Sequence, residues 1–170
     1  GQALWGYATG IGALLIAVMA PILGSIADQS GPRKPWLLIF SVLYLIGSAA
    51  LWMAEPGADN TTMILVFFVI GLFGVEFATV FTNSMLPDIA AKKDVGRISG
   101  SGWAMGYWGG LLSLVIVLGF IAPGPGSDKT MLGMAPIFGL SIDAGEPARS
   151  TGPLTAIWYV IFIIPFFLWT

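Results

Sequence analysis

Charge is scarce in this sequence, and cysteine and histidine are absent from it. Only 9% of its 170 residues are charged, whereas 56% are hydrophobic. Soluble domains carry roughly a quarter charged residues, because a surface that faces water must be solvated. So little charge excludes a soluble enzyme, a disordered segment and a nucleic-acid-binding domain, which needs a basic patch. Together with a mean hydropathy of +0.88, it indicates an integral membrane protein.

The two missing residue types exclude several kinds of chemistry. Without histidine the chain has no Ser–His–Asp triad, no histidine metal site and no imidazole proton shuttle. Without cysteine it has no thiol chemistry and no disulfides. The sequence also shows no nucleophile–base pair and no cluster of metal ligands. We therefore expect neither an enzyme nor a bound metal or cofactor.

The few charges divide the chain into five long apolar segments. A helix that rises about 1.5 Å per residue crosses a hydrocarbon core of about 30 Å in roughly 20 residues. Backbone groups in hydrocarbon must be hydrogen-bonded within the segment, and no segment alternates in polarity as a barrel strand does. The predicted fold class is therefore an all-α polytopic membrane helix bundle. The predicted helices occupy residues 3–27, 35–54, 60–87, 98–121 and 152–170.

Basic residues are concentrated in alternate loops. The first and third connections hold Arg33, Lys34, Lys92, Lys93 and Arg97. The second and fourth hold two basic residues among five acidic ones. The positive-inside bias places the first and third loops in the cytoplasm, so we expect a multi-pass protein of the cell's inner membrane whose first helix runs inward. A start without methionine or a basic leading segment is typical of an even-numbered helix within a larger protein.

The third predicted helix carries a carboxylate deep in the membrane. Glu76 lies 15 residues after Thr61, which is roughly 22 Å along a span of about 40 Å. A carboxylate at that depth costs about 2.5–3.5 kcal/mol, so it faces protein or a water-filled cavity. Thr79 and Asn83 share its helix face, and together the three indicate a cavity wall with a site for a proton. The alternative is a carboxyl group hydrogen-bonded to a neighbouring helix for structure alone.

Two of the predicted helices carry stripes of small residues. The stripe on the first includes Gly6 and Gly10, and the stripe on the fourth includes Gly102, Gly106 and Gly110. Small residues at helical spacing let two helix backbones approach closely in a membrane. The stripes are expected either to pack within this chain or to face a partner half that the sequence does not contain.

The first cytoplasmic loop is a tight reversal with a regular pattern of glycine and charge. The pattern consists of Gly24, Asp28, Gly31, Arg33 and Lys34. Gly31 permits an unusual backbone angle, and Asp28 is a fixed negative charge beside two cations. The pattern resembles the signature of the major facilitator superfamily between its second and third helices, G-x-x-x-D-x-x-G followed by basic residues. A proline displaces the basic pair from its usual place.

Three further stretches narrow the resemblance. They are the segments from Asn83 to Ala90, from Gly96 to Tyr107 and from Ala148 to Pro165. These stretches are similar to the vacuole-effluxer family, which includes fungal vacuolar amino-acid effluxers and many bacterial proteins of undefined substrate. On this mapping the chain covers helices two to six of the amino-terminal half. The first helix and the carboxy-terminal half of the same transporter would be its missing partners.

The resemblance implies secondary active transport by alternating access, in which two six-helix halves rock around a central site. The solute is expected to be small and organic, with amino acids as the family-level expectation, and transport is expected to be either coupled to protons through Glu76 or facilitative. Two alternatives stay open. One is a sugar–cation symporter of the same superfamily, and the other is a multispan membrane subunit that does not transport.

The resemblance also assigns roles to residues. The helix that carries Glu76 would line the cavity, and the two glycine stripes would meet the other half. Asp28 would help to lock the cytoplasmic side closed, with Arg33 in its charge network. Trp103 and Tyr107, one turn apart, either stack on a ligand or pack against their neighbours.

Overall fold

The computed structural model describes residues 2–169, apart from the side chains of Asp28 and Ser30. Its helices are α1 (Gln2–Ser30), α2 (Lys34–Ala50), α3 (Thr61–Ser84), α4 (Leu86–Ile89), α5 (Val95–Ile116), α6 (Glu146–Arg149) and α7 (Thr151–Trp169). A 3-10 turn, Leu51–Met53, extends α2, and a π-helical segment, Val117–Ile121, extends α5. Five helices are long and apolar enough to span a membrane, and no strand is present in residues 2–169. The predicted all-α membrane fold is therefore confirmed.

The helices α2 and α3 form the closest pair, because glycines meet where they cross. A Cβ atom added at Gly47 would collide with the backbone of Gly71. One added at Gly74 would collide with the backbone of Tyr44. Association of helices in lipid depends on van der Waals contact, so a crossing built on glycine brings the two backbones within contact distance.

An aromatic cluster holds together the end of α1, the start of α2 and the end of α3. Phe40 of α2 stacks on Phe81 and Phe77 of α3, with ring centroids 5.5 Å and 5.0 Å apart. Leu37 and Ala27 are buried in the same cluster. Each aromatic pair contributes about 0.5–1.5 kcal/mol beyond the area that it buries, so this cluster fixes the ends of three helices beside the loop between α1 and α2.

The helix α7 packs against α2 through a small residue and a polar contact. A Cβ atom at Gly152 would lie 2.5 Å from the carbonyl oxygen of Ser48. Further along, the hydroxyl groups of Tyr159 and Ser41 are 2.8 Å apart and hydrogen-bonded. The ring of Tyr159 also meets Tyr44 edge-on, with centroids 4.8 Å apart. These contacts set the rotation of α7 about its axis.

A buried arginine joins the loop after α2 to the start of α7. The Nε atom of Arg149 donates to the carbonyl oxygen of Trp52 at 2.7 Å, and Nη1 donates to that of Ala144 at 3.2 Å. Its Nη2 atom lies 3.1 Å from a carboxylate oxygen of Glu55, and its guanidinium group lies over the Trp52 ring. The side chain of Arg149 is only 8% exposed, so a single residue joins two loops at the end of the bundle opposite the aromatic cluster.

Candidate functional site

A cavity of about 430 Å³ lies where α3, α5 and α7 come together. Its polar lining consists of Thr79, Thr82, Asn83, Ser99 and Tyr159. Hydroxyl groups and one amide can both donate and accept hydrogen bonds, so the lining suits a polar but uncharged part of a solute. The cavity is open on one side, because α5 contributes no buried residue in the described chain.

A second space extends this cavity toward the end of the bundle that holds Arg149. It has a volume of about 230 Å³ and lies between α2, α3 and α7. Val75 lines both spaces, and together they follow α3 from Phe68 to Asn83. The fifteen steps from Phe68 to Asn83 correspond to roughly 22 Å of helix, which is most of the hydrocarbon thickness. We call the two spaces together the α3–α7 groove.

The predicted polar face of α3 is only partly in this groove. Thr79 and Asn83 line the cavity, whereas Glu76 does not. Glu76 is exposed on the neighbouring part of the helix surface, and within residues 2–169 its side chain has no hydrogen bond or ion pair. A carboxylate at this depth cannot face hydrocarbon cheaply. It therefore needs water or further protein beside it.

The two predicted stacking aromatics have different surroundings. Trp103 lines the cavity, whereas Tyr107 does not. Their ring centroids are 6.4 Å apart, and Tyr107 is 71% exposed. Tyr159, whose hydroxyl group is held by Ser41, is an aromatic residue of the cavity that the sequence reasoning missed. The sequence signal for it was weak, because α7 is apolar and aromatic along its whole length.

The loop between α1 and α2 turns at a glycine and carries an ion pair to α4. Gly31 has a φ of +87°, a conformation that other residues rarely adopt. Arg33 donates from Nη1 to Asp88 at 3.0 Å and to the carbonyl oxygen of Ser84 at 2.8 Å. Lys34 begins α2. The side chain of Asp28 lies outside the described residues, so its role stays a prediction.

The glycine stripes predicted from the sequence border open space. No atom lies within 4 Å of a Cβ position at Gly6, Gly10, Gly24, Gly102, Gly106 or Gly110. Gly102 and Gly106 line the cavity. The close approaches within the described chain occur instead at the glycines of α2, α3 and α7, which the sequence reasoning missed. The sequence signal for these close approaches was the pair Gly71 and Gly74, which lie three residues apart in α3.

Comparison with known proteins matches the chain to one family model and to two curated relatives. The family model described as "Vacuole effluxer Atg22 like" matches residues 2–170. The "Uncharacterized MFS-type transporter YxiO" of Bacillus subtilis (strain 168) is 28% identical over 160 residues, which are 94% of this chain and 34% of that protein. An "Uncharacterized protein" of Aquifex aeolicus (strain VF5) is 32% identical over 110 residues, which are 64% of this chain and 27% of that protein.

These matches cover a larger share of this chain than of either relative. The chain spans about a third of the length of the curated relatives that it matches. No solved structure matches the chain. The helix arrangement described above is therefore supported by the contacts within this structure alone.

Proposed function

Because this chain belongs to the vacuole effluxer Atg22-like family, we propose that it forms part of a secondary transporter for small organic solutes that works by alternating access. The observation that carries this proposal is the polar face of α3, on which Glu76 lies roughly 22 Å along the helix and Thr79 and Asn83 line an open cavity. Secondary transporters bind their solutes near the bilayer midplane, between two repeats. Polar residues at that depth are costly unless they serve such a pathway.

The α3–α7 groove supports a second part of the proposal, which concerns the rest of the polypeptide. The groove is open along most of the membrane thickness, and Gly102 and Gly106 border it without a neighbour. Small residues suit the close approach of another helix backbone. We infer that a further helix of the same transporter, together with its carboxy-terminal half, closes the groove. Thr79 and Asn83 would then line an enclosed pathway.

Glu76 is the residue that we assign to the proton or to a cationic group of the solute. Its side chain stands alone among the described residues, so a mobile charge beside it would meet no competing partner. The family resemblance favours amino acids, whose ammonium group a carboxylate binds well. The basic loops at one end of the bundle favour the inner cell membrane, with those loops in the cytoplasm.

Replacing Glu76 by glutamine tests this assignment. The complete transporter is reconstituted in liposomes, and uptake of amino acids and sugars is measured with and without a pH gradient. We expect Glu76→Gln to lower gradient-driven uptake at least about tenfold, the effect of losing about 1.4 kcal/mol of interaction. Glutamine keeps the shape and loses only the charge and the titratable proton.

The matched control is Asp59→Asn, which neutralises an exposed carboxylate in the outer loop before α3. It is expected to leave uptake unchanged. If Glu76→Gln folds and retains full gradient-driven uptake, the carboxylate has only a structural role. If the unmodified protein moves no amino acid or sugar under either condition, the proposed solute classes are contradicted.

A further inference from the structure

Two threonine hydroxyl groups in the lining of the cavity have a fixed hydrogen-bonding direction. Thr79 Oγ1 lies 2.8 Å from the carbonyl oxygen of Val75, and Thr82 Oγ1 lies 2.8 Å from that of Ala78. A carbonyl oxygen only accepts, so each threonine donates its one hydroxyl hydrogen to its own helix. Toward the cavity, which both residues line, their oxygen atoms can therefore only accept.

The hydroxyl group of Tyr159 is committed in the same way through a second hydroxyl. Ser41 Oγ donates to the carbonyl oxygen of Leu37 at 2.7 Å, which uses its only hydrogen. The hydrogen bond of 2.8 Å between the hydroxyl groups of Ser41 and Tyr159 is then donated by Tyr159. With its hydrogen used, the Tyr159 oxygen is a third acceptor in the lining of the cavity.

The charges in and beside the cavity also favour one kind of solute group. Among the described residues that line it, none is a lysine or an arginine, and the N–H donors of Asn83 and Trp103 are neutral. An anionic group would enter this part of the cavity without a cation to balance it. Glu76 lies about one turn before Thr79 on α3, so a negative charge is close to the accepting hydroxyl groups. The surroundings therefore suit a cation that donates hydrogen bonds.

We propose that Thr79, Thr82 and Tyr159 bind a primary ammonium group of the solute as hydrogen-bond acceptors. An ammonium group has three donors and no acceptor, which is the complement of these oxygen atoms. This inference rests on the proposed function and names the solute group that the cavity selects. Glu76 attracts any cation, whereas the hydroxyl groups distinguish a primary ammonium group from a quaternary one and from a neutral solute.

Solutes that differ only in their donors test the inference. The complete transporter in liposomes is offered alanine and phenylalanine, each beside its N,N,N-trimethyl derivative, and glucose as a neutral solute. The trimethyl derivative keeps the positive charge and has no N–H donor. We expect its uptake to be at least about tenfold slower than that of the parent amino acid, because it loses hydrogen bonds made by a charged group.

Variants that remove only an acceptor oxygen separate the recognition of donors from the effect of size. Thr79→Val and Thr82→Val keep the shape of the side chain, and the carbonyl oxygens that they release keep their amide partners in the helix. Each variant is expected to raise the KM for the parent amino acid about tenfold and to leave the uptake of the trimethyl derivative unchanged. Tyr159→Phe, which removes the third acceptor, replaces either variant if it fails to fold.

The matched control is Thr9→Val on α1. Thr9 Oγ1 also donates to a carbonyl oxygen of its own helix, that of Trp5 at 3.0 Å. Thr9 lines neither space of the α3–α7 groove. The same chemical change is therefore expected to leave the KM for both amino acids unchanged.

Three results would overturn the inference. If the KM is unchanged in both valine variants, any exclusion of the trimethyl derivatives is due to size, and the transport proposal stands. Uptake of the trimethyl derivatives at the rate of the amino acids, or uptake of glucose alone, likewise leaves transport intact and removes the ammonium site. If none of these solutes is moved, the inference fails together with the solute classes proposed above.

Discussion

Replacement of Arg149 by alanine is expected to lower the free energy of unfolding by about 2–4 kcal/mol, because hydrogen bonds to a charged group contribute about 1.5–3 kcal/mol. The variant loses the donors to the carbonyl oxygens of Trp52 and Ala144 and leaves both loops without their common partner. The contact with Glu55 adds little, since that carboxylate is 63% exposed. Heat unfolding of the complete protein in detergent measures the loss.

Two comparison variants separate the causes. Arg149→Met keeps most of the side-chain volume and removes the donors, so it is expected to be nearly as unstable as Arg149→Ala. Arg97→Ala removes an 80% exposed guanidinium from a pair with Asp94 and is expected to change stability by less than about 0.5 kcal/mol. Full stability of Arg149→Met would show that the arginine acts only by filling space.

Replacement of Gly74 by alanine is expected to cost about 1–3 kcal/mol or more, because overpacking a close contact forces the backbones apart. The added Cβ atom would meet the backbone of Tyr44 and the carbonyl oxygen of Phe40, and neither can move without shifting α2. Loss of the monodisperse peak in size-exclusion chromatography, together with a lowered unfolding midpoint, measures the effect.

The matched control is Gly100→Ala on α5, where no atom lies within 4 Å of the new Cβ position. Alanine is the better helix former there, so stability is expected to be unchanged or slightly raised. Equal stability of the two alanine variants would contradict the glycine crossing of α2 and α3.

The membrane spans were predictable from the sequence because hydrocarbon imposes a simple rule. An uncharged run of about 20 residues has no other stable place than a membrane or a large core. The five helices follow these runs, and the turn at Gly31 follows the glycine pattern of the loop between α1 and α2. The choice of an all-α fold was equally determined, since backbone groups in lipid must be paired within a segment.

The helix contacts were not predictable in the same way. The chain has 23 glycines, and which of them meets another helix depends on the order in which helices pair in space. The stripes on α1 and α5 satisfy the spacing rule as well as Gly71 and Gly74 do, yet of these two stripes and this pair only Gly71 and Gly74 have a neighbouring backbone in the described chain. Spacing identifies a surface that permits close approach and does not identify its partner.

The polar contacts at the two ends of the bundle could not be predicted from the sequence for a related reason. Two of the acceptors of Arg149 are backbone carbonyl oxygens, which every residue carries and which therefore leave no trace in the sequence. The bridge from Arg33 to Asp88 crosses 55 positions. The sequence shows both charges but gives no distance between them until the helix pairing is known.

The most direct test of the central claim is the accessibility of the polar face of α3. A cysteine in place of Thr79 is treated with a membrane-impermeant thiol reagent in the complete transporter, and Leu111→Cys, at an apolar position of α5 that does not line the cavity, serves as the reference. Only a thiolate reacts, so labelling requires water at the site. We predict that Thr79→Cys is labelled much faster than Leu111→Cys. Equal and negligible labelling of both would contradict a solute pathway along α3.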